Sequence, residues 1–212
     1  MTTAQSDLPL RCRCGQVRGV VHEASRATGN RLVCLCLDCQ AFAKFLNRAD
    51  TIDAYGGSDI YQMAPARLKI TDGDDQLRSM RLSERGLLRW YTDCCKTPVG
   101  NTMNGKLPFV GLILAFADPV CDRDGILGKS LGYVNAPDPK KLPPGIELGS
   151  NLKILKIVGR CGGLMIGWWI SGKASPSPFF DERTREPIAA PKILSKSERD
   201  ALPRKSTTRS SS

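Results

Sequence analysis

Cys34-Leu35-Cys36-Leu37-Asp38-Cys39 joins a Cys-x-Cys pair to a Cys-x-x-Cys pair, so three thiols fall within six residues. Upstream stands Cys12-Arg13-Cys14-Gly15. Downstream, Cys94-Cys95 lies between Arg89-Trp90-Tyr91-Thr92-Asp93 and Lys96-Thr97-Pro98-Val99-Gly100. Seven of the nine cysteines belong to these three groups. On an extended strand, residues i and i+2 project from one face, so Cys12 and Cys14 can chelate one ion. Gly15 then lets the backbone turn away tightly. Zinc takes thiolates tetrahedrally; structural sites use four protein ligands and catalytic sites keep a position open. Seven thiols divide as four plus three, suggesting a closed site from Cys12, Cys14, Cys94 and Cys95 and an open one from Cys34, Cys36 and Cys39. The expected cofactor is zinc, as one or two ions. A disulfide framework belongs to a secreted chain, and a redox Cys-x-x-Cys normally opens a helix in a βαβ setting; neither context surrounds these cysteines. Cys121 and Cys161 stand alone and read as core packing.

The rest of the chain is compatible with a folded zinc protein. Among 212 residues the hydrophobic share of 41% and charged share of 25% are ordinary, and 20 glycines with 14 prolines favour short strands and turns. Met1 to Leu10 has no secretory pattern, so a reducing, cytoplasmic compartment is expected. The segment Leu152 to Ile170 is the nearest to a membrane span. It carries Lys153, Lys156 and Arg160 and is interrupted by Gly159, Gly162, Gly163 and Gly167. It reads as a core or interfacial helix, and no membrane partner is expected. The net charge of +10 is spread along the chain, and aromatic content is only 6%. Neither favours specific nucleic-acid binding.

The predicted fold class is mainly β with a C-terminal helical extension. Strands are expected at Val17–His22, Arg67–Ile70, Arg78–Leu82 and Leu87–Tyr91, with turns at Gly29-Asn30, Gly56-Gly57 and Asp72-Gly73-Asp74. A short helix is expected to begin near Asp38. Phe109–Phe116 is an apolar run that suits either a buried strand or a helix start. Residues 1–9 read as a loose lead-in. The chain divides into a zinc-binding domain over 1–134, a Pro-rich loop over 135–151, a helical extension over 152–203 and a disordered basic tail over 204–212. Ser195 and Glu198 have the spacing of a capping box.

Taken together, the Cys12-x-Cys14-Gly15 pair, the Cys34-x-Cys36-x-x-Cys39 group and an aromatic-led cysteine knuckle ending in Thr97-Pro98-Val99 resemble the glutathione-dependent formaldehyde-activating family. That family includes centromere protein V and has the Mss4-like fold. The resemblance covers about Leu10 to Phe116. It implies a mainly β, Mss4-like zinc-binding domain in which Cys12, Cys14 and Cys95 match structural ligands and Cys34, Cys36 and Cys39 match the active-site set. It further implies a carbon-sulfur lyase that joins glutathione, or another small thiol, to formaldehyde, giving S-hydroxymethylglutathione. Two positions depart from the family pattern. Leu35 replaces a common histidine, and the knuckle alignment puts Thr92 at the first cysteine and Lys96 at the glycine. Cys94 is then the candidate replacement ligand, which requires a kinked turn. Arg89 and Lys44 are candidates to hold the peptide's carboxylates, although ordinary surface charge explains both. Asp38 reads as a turn residue, and His22, in an alternating strand, reads as no catalytic base. The alternative function is a non-catalytic zinc-stabilised interaction module, for which Trp168-Trp169 supplies either a core plug or an interface anchor.

Overall fold

The computed structural model describes residues 6–137 and 151–202. The Pro-rich stretch therefore falls largely outside the described residues, as does the basic tail. The fold is mainly β, with two sheets and a long helix near the C-terminus.

The smaller sheet has three antiparallel strands, β1 (Ser6–Arg11), β2 (Arg18–Ala24) and β5 (Leu68–Asp72), in the order β1-β2-β5. The lead-in expected over residues 1–9 is thus a strand from Ser6 onward. Its signal is short but real, because Leu8 and Leu10 are buried while Asp7 and Pro9 are exposed, the alternation of a half-buried strand. Pro9 is tolerated because β1 is an edge.

The larger sheet is built on β3 (Asn30–Cys34), β4 (Ser58–Met63), β6 (Leu77–Arg81), β7 (Leu88–Thr92), β8 (Pro98–Thr102) and β9 (Val110–Ile113). Two-residue strands, β10 (Tyr133–Val134) and β11 (Lys192–Ile193), pair parallel to β3 and β6. The order is β10-β3-β4-β9-β8-β7-β6-β11. Phe109–Phe116 resolves into both of its expected forms, a strand to Ile113 and then a single 3-10 turn.

Every residue of β7 and β8 is buried, because both faces of the sheet are covered. One face of β7 sends Trp90 into the main core with Leu8, Leu10, Val21, Tyr61 and Met63, under the small sheet. Trp90 stacks on Phe179 at 4.7 Å and meets Phe180 edge-on at 5.9 Å. Truncating so large a core ring costs about 3–5 kcal/mol. The opposite face sends Tyr91 against Phe42 and Phe45 of α1 (Leu37–Phe45). Gly73, at φ 70°, turns β5 towards β6, and a Cβ there would meet the Gln16 carbonyl at 2.6 Å.

A short helix that the sequence reading missed, α2 (Arg123–Leu127), is capped by Asp122, whose Oδ1 accepts from the Gly125 amide at 2.9 Å. The long helix α3 (Asn151–Ile170) rests over β3 and β4, with Ile157 against Leu32, Cys34 and Ile60. Between α3 and α4 (Lys196–Ala201) the chain is not helical; it delivers Phe179 and Phe180 to the core and then β11 to the sheet edge. At α4 the capping box is complete, with Ser195 and Glu198 bonding each other's backbone amides. Among the described residues no helix is long and apolar enough to cross a membrane.

Candidate metal centres

The four-cysteine group assembles from two tight turns that share two hydrogen bonds and differ in the third. After β1, the Cys12 amide donates to the Val17 carbonyl at 3.0 Å, the Val17 amide returns to Cys12 Sγ at 3.2 Å, and the Gly15 amide donates to the Cys12 carbonyl at 2.9 Å. Between β7 and β8, the Thr92 amide donates to the Thr97 carbonyl at 3.0 Å. The Thr97 amide returns to Thr92 Oγ1 at 3.1 Å, and the Lys96 amide donates to the Thr92 carbonyl at 2.9 Å. Thr92 therefore occupies in the second turn the place that Cys12 has in the first, and its hydroxyl accepts the bond that a sulfur accepts there. Cys94 then stands to Thr92 as Cys14 stands to Cys12. The kink expected for Cys94 is supplied by Lys96 at φ 54°, a left-handed conformation that glycine adopts most easily.

These turns bring Cys12, Cys14, Cys94 and Cys95 together, with all four sulfurs within 4.8 Å of one another. Cys12 and Cys14 are 3.5 Å apart, Cys14 and Cys94 3.4 Å, Cys12 and Cys94 3.9 Å, and Cys94 and Cys95 3.8 Å. Buried Arg48 secures the arrangement. It donates to the Cys95 carbonyl at 3.2 Å and to Thr97 Oγ1 at 3.1 Å, and Asp50 grips its other nitrogens at 2.8 Å. Thr97 Oγ1 also accepts from the Arg13 amide at 3.1 Å. With its lone pairs engaged, its own hydrogen is free for Cys95 Sγ, 3.2 Å away. Burial pushes the Cys95 thiol up, but the Thr97 and Thr92 hydroxyls and the Cys14 amide pull it down to about 5. Burial, followed by contact with Cys14, pushes Cys94 up to about 12, and burial raises Cys12.

The three-cysteine group forms where β3 ends and α1 begins. Cys34 is the last residue of β3. Cys36 is the N-cap of α1, its Sγ accepting from the Cys39 amide at 3.4 Å, and Cys39 lies in the first turn. The three sulfurs lie within 4.8 Å of one another. Cys34 and Cys39 are buried, and Cys36 is half-buried. Asn135, at φ 56° just after β10, donates from Nδ2 to Cys34 Sγ at 3.6 Å. Hydrogen bonds from Cys36, then Cys39, hold Cys34 down at about 2. The hydrogen bond to Cys34 in turn raises Cys36 and, more strongly, Cys39.

The chain belongs to DUF6151, a family of unknown function, which matches residues 5–190. No curated protein matches it. Among solved structures it is similar to a Rhodobacter sphaeroides protein, a structural-genomics target known from a crystal structure. That likeness has 17% identity and a TM-score of 0.41, over 60% of this chain and 100% of the other.

Of the other residues weighed from the sequence, Arg89 is buried rather than on the surface. It pairs with Asp38 at 3.5 Å, donates to Asn101 Oδ1 at 3.2 Å and lies 5.6 Å from the centre of the Phe42 ring. Its charge is thus engaged in joining β7, β8 and α1, and Asp38 is its partner as well as a first-turn residue. Lys44 is exposed on α1. His22 is exposed on β2 and pairs with Asp7 at 3.0 Å. Cys121 packs at the rim of the main core, and Cys161 is half-buried on α3. The sequence reading missed Arg48 and Asn135. Neither stands in a cysteine motif, so only the folded chain reveals them as neighbours of the clusters.

Proposed function

We propose that this protein holds zinc at both cysteine groups, and that the three-cysteine site takes a small thiol at its open position. The observation that carries this reading is the unequal division of donors, four thiols in one group and three in the other. The donor set also fits the metal. Zn–S bonds of about 2.3 Å in a tetrahedron give sulfur–sulfur edges of about 3.8 Å, close to the 3.4–3.9 Å of four sulfur pairs in the four-cysteine group, all of whose sulfurs lie within 4.8 Å of one another. Cys12, Cys14, Cys94 and Cys95 would fill a structural site. Cys34, Cys36 and Cys39 would hold the second ion, leaving one position for a ligand. Zinc bound there would lower the pKa of an incoming thiol.

The chain's own residues prepare the three-cysteine site. The start of α1 aims the Cys39 amide at Cys36 Sγ, 3.4 Å away, a bond that fixes this sulfur at the helix N-terminus. Asn135 orients Cys34, and the surrounding Leu32, Ile60 and Ile157 limit water. With the motif resemblance, this supports a carbon-sulfur lyase acting in a reducing cytoplasm on glutathione and formaldehyde. The thiol sulfur bonds to the carbonyl carbon, the C=O π bond opens, and the oxygen takes the proton released by the thiol. The product is S-hydroxymethylglutathione. The mainly β architecture, with ligands on knuckle turns, also supports assignment to the Mss4-like fold.

The test is metal content followed by thiol titration. Reduced protein should carry two zinc ions per chain, and Cys34→Ser should carry one. Glutathione should bind the wild type and accelerate adduct formation above the spontaneous rate. Less than half an ion per chain with thiols intact would overturn the zinc reading. Two ions without thiol binding would favour the second reading, a zinc-stabilised interaction module, which the packing of Ile157 over the cluster also supports.

A further inference from the structure

The helix α3 divides its apolar residues between two faces. Ile157 packs on the three-cysteine region, and Trp168 is buried. On the other face Leu155, Val158, Ile166, Trp169 and Ile170 remain 59–77% exposed. Spacings of three, four, eight and eleven residues along this set place them on a single stripe of the helix. Among the described residues nothing covers the stripe. Soluble monomers rarely leave so continuous an apolar surface open.

The opposite side of the helix is tied to the rest of the fold. Arg160 donates from Nε to Asn30 Oδ1 at 2.7 Å and reaches the Arg26 carbonyl. Just beyond the helix, the Lys173 carbonyl accepts from the Ala66 amide at 3.2 Å. From Leu155 to Ile170 the stripe runs about 22 Å at 1.5 Å per residue. That is too short for a hydrocarbon core of about 30 Å, but it suits a helix lying in the plane of an interface.

Charge decides between the possible occupants. From Asn151 to Phe180 the chain has Lys153, Lys156, Arg160 and Lys173 and no Asp or Glu. Lys156 is exposed beside the stripe. The whole chain carries +10. A second copy would bring basic helix against basic helix with no acidic partner. An anionic lipid surface supplies both complements, acyl chains for the stripe and headgroups for the lysines. Exposed Trp169 near the helix end has the amphipathic ring favoured at such boundaries.

We infer that α3 is an amphipathic docking helix that lays the Leu155–Ile170 stripe into the surface of an anionic bilayer. This revises the sequence expectation of no membrane partner and agrees with the interfacial reading of the same helix. It is independent of whether the cysteine groups hold zinc.

The experiment is co-sedimentation of the full chain with phosphatidylcholine vesicles, with and without phosphatidylserine. The wild type should pellet with the serine-containing vesicles, stay in solution with phosphatidylcholine alone, and be released partly by salt. The combined Ile166→Ser, Trp169→Ser and Ile170→Ser variant should lose binding, and Lys156→Glu should weaken it. Because the triple variant risks the fold, Trp169→Phe supplies a second measurement. Brominated lipid should quench wild-type fluorescence and leave the emission of the buried Trp90 and Trp168 in the variant unchanged. Three results would overturn the inference. They are wild type remaining in solution with anionic vesicles, a triple variant that binds as wild type does, and a lipid-free dimer that the triple variant splits into monomers.

Discussion

The two cysteine groups use the same side chain in opposite ways. The three-cysteine group is local, written at one strand-to-helix junction within six residues. The four-cysteine group is a tertiary link, joining Cys12 to Cys94 across 82 positions and tying the small sheet to the β7–β8 turn. An ion in the first would constrain chain that is already ordered by its own hydrogen bonds. An ion in the second would hold two sheets together, so binding there is also folding free energy. Position in the topology, and not ligand chemistry alone, thus separates the two groups.

The strongest way to break this contrast is to remove one sulfur from each group. In reduced, zinc-loaded protein, Cys14→Ser should lower unfolding free energy by on the order of 5 kcal/mol, whereas Cys36→Ser should cost about 1 kcal/mol. Both are read by urea denaturation. Equal losses would mean that the two groups do not divide in this way.

A sharper test uses the equivalence of the two turns. In a Cys94→Ser background, adding Thr92→Cys places a thiol where the first turn has Cys12. The pair 92 and 95 then recreates a Cys-x-x-Cys knuckle. The double variant should recover the zinc equivalent lost by the single one, as measured by metal content after desalting. No recovery would mean that Cys94's place at the cluster is not interchangeable with that of Thr92.

The smallest effect belongs to the Arg48 clamp. Hydrogen bonding to Arg48 lowers the Asp50 carboxyl below its ordinary 3.8. A carboxyl depressed in the folded state stabilises it above the unfolded value and loses that contribution as pH falls through the folded one. Asp50 is largely exposed, so Asp50→Asn should cost less than about 1 kcal/mol at neutral pH. The difference from wild type should begin to shrink as pH falls past 3.8 and vanish only once Asp50 is protonated in the folded state as well. A cost that persists in acid would point to packing in place of charge.

The sequence was most legible where local chemistry and final structure agree. The three-cysteine group, the start of α1 near Asp38, the turn at Gly73 and the Ser195 capping box all depend on residues close in the chain. Four strands were legible as short β-type segments set off by turn signals. β3 was not, since it buries Asn30 and half-buries Arg31 alongside Leu32. β10 and β11 are two residues long, below any readable period. Phe179 and Phe180 follow a Ser-Pro run that reads as an end, yet they fill the space beside Trp90. At the knuckle the sequence has Thr92 and Lys96 where the resemblance leads to an expectation of cysteine and glycine. Only the backbone reveals Thr92 keeping the hydrogen bond and Lys96 accepting the left-handed turn.

Those same two-residue strands have a bearing on how crowded copies of the chain behave. Each forms one margin of the eight-stranded sheet. A long bare margin on β3 or β6 would offer a row of unpaired amides and carbonyls to a strand from another molecule. A partner two residues long occupies part of that row and is itself too short to template much further pairing. The segment from Phe179 to Leu194 therefore plugs the core with its aromatics and, through β11, blunts β6 as a seed for aggregation.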